Sequence, residues 1–437
     1  MTATDLAPQG PEAEIVVHKV VEPPVSLRAR MISGLVLLGV GAVCAGLLGL
    51  SAKAGTHAQF VLSSASPHIA ITLPVRAASY LLGGIVVLLG IWQMVRGWTR
   101  AQMRWVLGVT LFCFVLSFLC WAVSANPSTP FDLLGLLQNT ILTAVPLILG
   151  ALAGVLCERS GVINVAIEGQ MLAGAFAGAL VASIASNGYV GIIGAVVAGG
   201  LMGLLLAVFS IRYLVNQVVL GVVLNVFALG LTGFIYDALM QPNADALNNP
   251  TIFDPIAVPL LSKIPILGPL LFDANIIVYL MYVLIVVVDV ALFRTRWGLR
   301  TRAVGEHPTA ADTVGIKVLA VRYRNVVMGG AVAGLAGAYL TIGSVGAFSK
   351  NISSGKGFIA LAAVIFGRWS PRGAIAAALL FGFSDALATV LSFTQTPVTI
   401  PSYFLVMLPY LATLFAVAGL VGRAQAPAAD GQPYVKE

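Results

Sequence analysis

The chain has 437 residues, 59% of them hydrophobic and 9% charged, and carries a net charge of +7. A water-soluble domain needs about 25% charged residues to cover itself, so this composition excludes a soluble globular fold. The apolar residues also lie in runs near the ~20 residues that a helix needs to cross a ~30 Å hydrocarbon core.

Residues 1–30 are polar, carry Pro8, Pro11, Pro23 and Pro24, and have no apolar core before Met31. They predict a disordered cytoplasmic tail rather than a signal peptide. Apolar runs follow at 31–51, 79–96, 105–124, 132–156, 168–187, 189–211, 217–239, 275–294, 325–345, 371–392 and 401–421. In lipid the backbone must satisfy its own hydrogen bonds, so such runs are helices. None shows the alternation of a membrane β-barrel. The stretch 357–367 is too short to cross alone and predicts a half-helix or re-entrant piece. The expected fold is an all-α, polytopic transmembrane bundle of about 11–12 membrane segments. Residues 423–437 predict a second solvated cytoplasmic tail, to which no function is assigned.

Basic residues gather in two short loops. One holds Arg96, Arg100 and Arg104; the other holds Arg294, Arg296, Arg300, Arg302, Lys317, Arg322 and Arg324. The polar segment 240–274 has Lys263 against Asp245, Asp254 and Asp273. The positive-inside rule puts the basic loops in the cytoplasm and 240–274 outside, and counting crossings with 357–367 as one of them then puts both termini in the cytoplasm. Charge confined to membrane-flanking loops argues for lipid and against nucleic acid. Cys44, Cys113, Cys120 and Cys157 sit in or beside apolar runs with no zinc or redox spacing, as small buried hydrophobes do. Asp289 lies near the end of its helix, close to Arg294, and reads as a snorkelling partner.

Three polar islands interrupt the pattern. Glu158 to Gln170 carries Gly161, Asn164, Glu168 and Gly169 between two apolar runs. Irregular backbone near a membrane is tolerated where it is buried in protein or lines a wet cavity, and transporters place such breaks on the solute path. A plainer reading has Glu168 favouring a helix start and Asn164 capping a turn. In Arg302 to Lys317, Pro308 suits a first helical turn and Gly315 a helix end, so the loop predicts a short helix on the cytoplasmic face. A permease driven by a separate ATPase needs such a rigid knob. In Ser353 to Trp369, Gly355 and Gly357 flank Lys356. The phosphate-loop pattern wants a Gly five positions before Gly355 and Ser or Thr after the Lys, where Lys350 and Gly357 stand. ATP hydrolysis is therefore expected on another subunit, and no cofactor or metal on this one. Among polar groups in or at apolar helices, Asn164, Glu168, Asn216, Gln217, Asn225 and Asp385 are candidates for the solute path. Interhelical hydrogen bonding is the alternative for Asn225 and Asp385.

These islands resemble the ABC-transporter permeases of the branched-chain amino acid, simple-sugar and nucleoside type, and within them the bacterial nucleoside or simple-sugar group. Glu158–Gly169 matches the ERSGVxNxxxEG stretch. Arg302–Ile316 matches RAVGENPxAAxxxGI with His307 in place of Asn, and Gly355–Trp369 matches GRGFIALAAVIFGRW with Lys356 in place of Arg. Asn216 to Asn225 matches an NQxxxGxxxN helix. The likeness covers roughly 131–422 and leaves 31–124 as an N-terminal addition of about three helices. It implies a bacterial inner-membrane complex of two permease subunits, an ATP-binding subunit pair and an extracytoplasmic solute-binding lipoprotein. It also implies that Gly305, Glu306, Pro308, Thr309, Ala310, Ala311 and Gly315 couple to the ATPase, with Thr309 where the importer pattern has Glu. An ion-driven secondary transporter and a membrane scaffold are the rival readings. The first calls for paired intramembrane carboxylates, and the second has no use for a cytoplasmic knob.

Overall fold

The computed structural model describes residues 27–53, 55–61, 70–125, 130–394, 396–397, 401–408, 410 and 425–436. Most of the expected N-terminal tail and most of the expected crossing 401–421 lie outside these residues; within the latter, Ser402–Val406 is helical. Ten of the described helices are long and apolar enough to cross a membrane. The chain is thus an all-α, multi-pass bundle, and it divides into two compact units.

The first unit takes Met1–Ser51 and Arg76–Phe118. It contains α1 (Leu27–Ser51) and most of α2 (Val75–Val95) and α3 (Arg100–Val123). Gly41 and Gly83 let α1 and α2 touch: a Cβ on either would stand 2.9 Å from the other's carbonyl oxygen. The contact is fastened by Gln93 Nε2 donating to Ser33 Oγ at 2.8 Å and Arg30 Nη2 donating to Val95 O at 2.7 Å.

The second unit takes Ala52–Val75 and Leu119–Glu437, so the segment 52–75 groups with the core rather than with the added helices. A three-stranded sheet, β1 (His57–Val61) between antiparallel β2 (Ala70–Pro74) and parallel β3 (Phe131–Asp132), precedes its helices. These are α4 (Leu133–Glu158), α5 (Ile167–Ala185), α6 (Gly188–Arg212), α7 (Gln217–Met240), α8 (Ile276–Arg294), α9 (Arg296–Glu306), α10 (Pro308–Thr313), α11 (Val318–Val345), α12 (Lys356–Phe366) and α13 (Pro371–Phe393). Short polar residues start them where hydropathy changes. Asp132, Asn187, Asn216, Asn275 and Thr295 each accept a backbone N–H from the first turn that follows.

The core lies along α4, α5 and α11, whose apolar windows are 83%, 67% and 78% buried, against 28% for α7 and α8. Those outer helices present Val219, Phe227, Phe234 and Val286 outward, as lipid-facing surfaces do. The inner helices approach closely because glycine removes the side chain at the crossings. A Cβ on Gly174 of α5 would stand 2.5 Å from Gly334 Cα of α11, and one on Gly334 would stand 3.0 Å from Gly199 Cα of α6.

Two irregular stretches enter this core from opposite ends. Residues 159–166 turn back after α4, and α5 begins beside Gly150 and Gly154, since a Cβ at Gly154 would stand 3.2 Å from Ile167 Cδ1. Four to eight residues of helix place that start about 6–12 Å inside the end of α4. From the other end, Asn248 and Asp237 hold Phe348 and Lys350. The chain then descends to α12, which runs beside α4 with Ala360 against Gly150 and Val364 against Gly154. At ~1.5 Å per residue, its 11 residues span about 16 Å, half a hydrocarbon core. The stretch 357–367 is therefore a half-helix that completes a crossing begun by irregular backbone. One boundary moves: α11 starts at Val318 rather than near 325, so Arg322 and Arg324 belong to a helix and not to a loop.

Candidate functional site

Two groups of residues carry the site, the short-helix loop at one end of the second unit and the polar junction inside it. Thr295 is extended and caps α9, its Oγ1 accepting from Gly298 N at 3.2 Å. α9 turns Thr301, Val304 and Gly305 inward. Gly305 lies directly on the Arg159 carbonyl, with no room for a Cβ. Pro308 opens α10 because its missing N–H has no helical partner to lose. Gly315 closes it at φ +84, with Gly315 N donating to Asp312 O at 2.9 Å and Ile316 N to Ala311 O at 3.0 Å. Ala311 is buried against Val304, Val318 and Val321, while Thr309, Ala310, Thr313 and Val314 face outward. Val314 is 75% exposed. The loop is a rigid knob with a small, largely uncharged outer face.

The C-terminal tail is not a solvated appendage. Gln425–Lys436 lies against this knob: Ala429 N donates to Gly305 O at 2.9 Å and Ala428 N to Glu306 Oε2 at 3.1 Å. Tyr434 completes the small core around Ala311, and Lys436 pairs with Asp312 at 3.6 Å. Arg322, 2% exposed, donates Nη1 to Gln432 O at 2.9 Å. Apolar packing and backbone hydrogen bonds hold the tail, signals that a composition of Pro, Ala and a few charges does not announce. Burial pushes the Asp430 carboxyl up to about 7, against the pull of the neighbouring Arg322 guanidinium and the Gly431 N–H.

Arg159 and Arg302, at the same end of the unit, are also engaged. Arg159 donates Nε to Trp369 O at 2.6 Å, and Arg302 lies 5.0 Å over the Phe293 ring. Asp289 pairs with Arg372 at 2.8 Å instead of with Arg294.

Inside the unit, the polar junction is built on Glu168. Its Oε1 accepts from Ser353 Oγ at 2.6 Å and Gly355 N at 2.8 Å, and its Oε2 accepts from Gly357 N at 2.6 Å. The carboxylate thereby ties the start of α5 to the start of α12. Asn225 holds the other side, Oδ1 accepting from Gly169 N at 2.8 Å and Nδ2 donating to Val165 O at 2.9 Å. Gln217 accepts from Ile163 N at 2.7 Å. Asn164 is fully buried and donates Nδ2 to Gln170 Oε1 at 3.0 Å. Glu158, also buried, accepts from Trp369 Nε1. Asn216 stays exposed at the α7 cap. Asp385 is apart, half-buried on α13. The structure thus brings Asn164, Glu168, Gln217 and Asn225 to the irregular stretch 159–166 and the start of α5 and leaves Asn216 and Asp385 outside that junction. A cavity of about 300 Å³ opens at the end opposite the knob, lined by Gln138, Phe253, Asp273, Asn275, Tyr339 and Ser344 among others. Among the described residues, no three His, Cys, Asp or Glu side chains gather as metal ligands would.

Ser353, Trp369, Arg322 and Tyr434 are the partners that sequence reasoning did not single out. Ser353 and Trp369 are the two ends of the third polar island, while nothing local marked Tyr434.

A family profile described as branched-chain amino acid transport system / permease component matches residues 136–418. The chain belongs to this family. The permease is 41% identical over 304 residues to the guanosine ABC transporter permease protein NupQ of Bacillus subtilis, covering 68% of this chain and 95% of the relative. It is 38% identical over 310 residues to the nucleoside ABC transporter permease protein NupC of Lactococcus lactis, covering 69% and 96%. The glucose ABC transporter permease protein TsgB13 of Haloferax volcanii is 30% identical over 256 residues, covering 56% and 67%. No solved structure matches the chain. The knob, the Glu168 junction and α12 all fall within the matched span. α1, α2 and α3 fall before it.

Proposed function

We propose that this chain is the membrane permease of an ATP-driven importer and that its solute is a nucleoside. The observation that carries the reading is the pair of nucleoside-permease relatives, each matched over more than nine-tenths of its length. Simple sugars are the second reading, supported by the more distant glucose relative. A separate ATP-binding subunit hydrolyses ATP and pushes on the knob of Gly305, Glu306, Pro308, Thr309, Ala310, Ala311 and Gly315, which therefore faces the cytoplasm with both termini. A second permease subunit completes the path, and an extracytoplasmic binding protein delivers solute to the opposite end, near the 300 Å³ cavity. Alternating access then requires that ATP binding to the ATPase favour one packed arrangement of the permease pair over the other. The irregular stretches joined by Glu168 provide a natural seam for that change, because unwound backbone can re-pair where a continuous helix cannot. Asp385 is the candidate for direct solute contact whose carboxylate is not committed to the junction.

The test is uptake of labelled nucleosides, sugars and amino acids into proteoliposomes holding the permease, its genomically neighbouring ATPase and the binding protein. Nucleoside uptake that requires ATP supports the reading. Uptake that persists without the ATPase refutes the importer, and ATP-dependent uptake of sugar alone refutes the nucleoside.

A further inference from the structure

The most heavily anchored feature outside the permease path is the docked C-terminal segment. It touches four elements at once. Ala429 and Glu306 join it to the end of α9, and Lys436 and Tyr434 join it to α10. Gln432 joins it to α11 through Arg322. It also covers the turn after α4: a Cβ on Gly161 would stand 3.1 Å from Ala429 O, and one on Gly431 would stand 2.6 Å from Ile163 Cδ1. Gly161 at φ +84 and Gly431 at φ +75 both use the backbone region that glycine enters freely, and neither adds a side chain of its own to the contact.

Arg322 explains why the segment belongs there. A guanidinium that is 2% exposed is costly unless partnered. The segment supplies the Gln432 carbonyl at 2.9 Å and the neighbouring Asp430 carboxyl. Tyr434 closes the apolar side of α10 around Ala311. The outer side, Thr309, Ala310, Thr313 and Val314, stays open. An element that covers the inner face of a knob and leaves its outer face open positions the knob and does not block it.

We propose that Gln425–Lys436 is a strap that holds α10 rigidly to the turn after α4 and to α11, so that force on the knob moves these helices. This rests on the importer reading above. Without the strap, α10 keeps its chain connections and the packing of Ala311 on Val304, Val318 and Val321 but loses the Tyr434 and Lys436 contacts, and ATP hydrolysis and transport come apart.

The experiment uses the complete complex in proteoliposomes. Wild type is compared with a chain ending at Ala424, with Tyr434→Ala and with Tyr434→Phe. Membrane insertion, ATP hydrolysis, uptake and amide exchange over 308–316 are all measured. The expected result is normal insertion, retained hydrolysis, faster exchange at 308–316 and about five- to tenfold less solute moved per ATP for the truncation and Tyr434→Ala, the scale of a lost coupling contact. Tyr434→Phe keeps the ring in the core around Ala311 and is expected to lose less than Tyr434→Ala. Wild-type solute moved per ATP in the truncated chain overturns the strap. Failure of both strap variants to insert also overturns it, because the segment would then serve folding and not coupling. Wild-type uptake without ATP refutes the importer instead; the strap then stands or falls on whether exchange at 308–316 rises in the truncated chain.

Discussion

Replacing Glu168 by Gln tests whether the junction between α5 and α12 is held by charge. The carboxylate accepts three hydrogen bonds, at 2.6, 2.8 and 2.6 Å, from Ser353 Oγ, Gly355 N and Gly357 N. Bonds to an ionised group contribute about 1.5–3 kcal/mol each, against about 1 for neutral pairs. Gln keeps the shape, but its amide nitrogen opposes one of the donors. Losing the charge at three short bonds therefore costs about 3 kcal/mol, and at 1.4 kcal/mol per decade this is roughly a hundredfold in the unfolding equilibrium. The room around the group is small in this arrangement: a Cβ on Gly357 would already stand 2.5 Å from Glu168 Cα. Unfolding of the purified permease by SDS in mixed micelles, with amide exchange at 353–357, reads both the magnitude and the place. Glu168→Gln is expected to unfold at lower SDS fraction and to exchange faster at Gly355 and Gly357. An unchanged midpoint with unchanged exchange would refute the assignment of Glu168 as the tie.

Gly315→Val forces a β-branched residue to φ +84 at a cost of about 1–2 kcal/mol. It meets no neighbouring atom, so insertion is expected to stay normal while uptake per ATP falls; unchanged uptake speaks against α10 as the coupling element. Gly305→Ala puts a methyl into the Arg159 carbonyl, an overpacking cost of about 1–3 kcal/mol, and is expected to lower thermal stability of the solubilised protein. Strap docking is expected to depend on pH through Asp430, which faces Glu158 of α4 and Arg322 of α11. Its carboxyl moves from 3.8 when free to about 7 when docked, so the docked state holds the extra proton. Docking is then strongest at low pH and weakens as pH rises through about 7. Amide exchange at 308–316, corrected for intrinsic rate, should rise between about pH 5 and about pH 8 in wild type and rise less in Asp430→Asn.

Much of the fold was legible in the chain alone. The bilayer demands long apolar helices whatever the tertiary contacts, so each described crossing lies near an expected run. Pro308 and Gly315 marked α10 because both act through backbone conformation, which is local. The half-helix over 357–367 was legible by length. Where local rules failed, a distant partner was the cause. Arg322 looked like a loop cation, yet it lies within α11 and its guanidinium donates to the C-terminal segment. Asp289 looked toward Arg294 in sequence and pairs with Arg372 across the bundle.

The amino-acid sequence by itself determined that this protein lives in a membrane, about how often it crosses, and that one loop carries a short capped helix. These follow from hydropathy and from the φ preferences of single residues. Only the tertiary structure decided that Glu168 ties two broken segments together, that α12 finishes a crossing begun by irregular backbone, and that the C-terminal tail straps the knob. The tie and the strap each join residues more than a hundred positions apart. Helical periodicity tells which face of a segment is apolar, and it carries no information about which distant segment will cover that face.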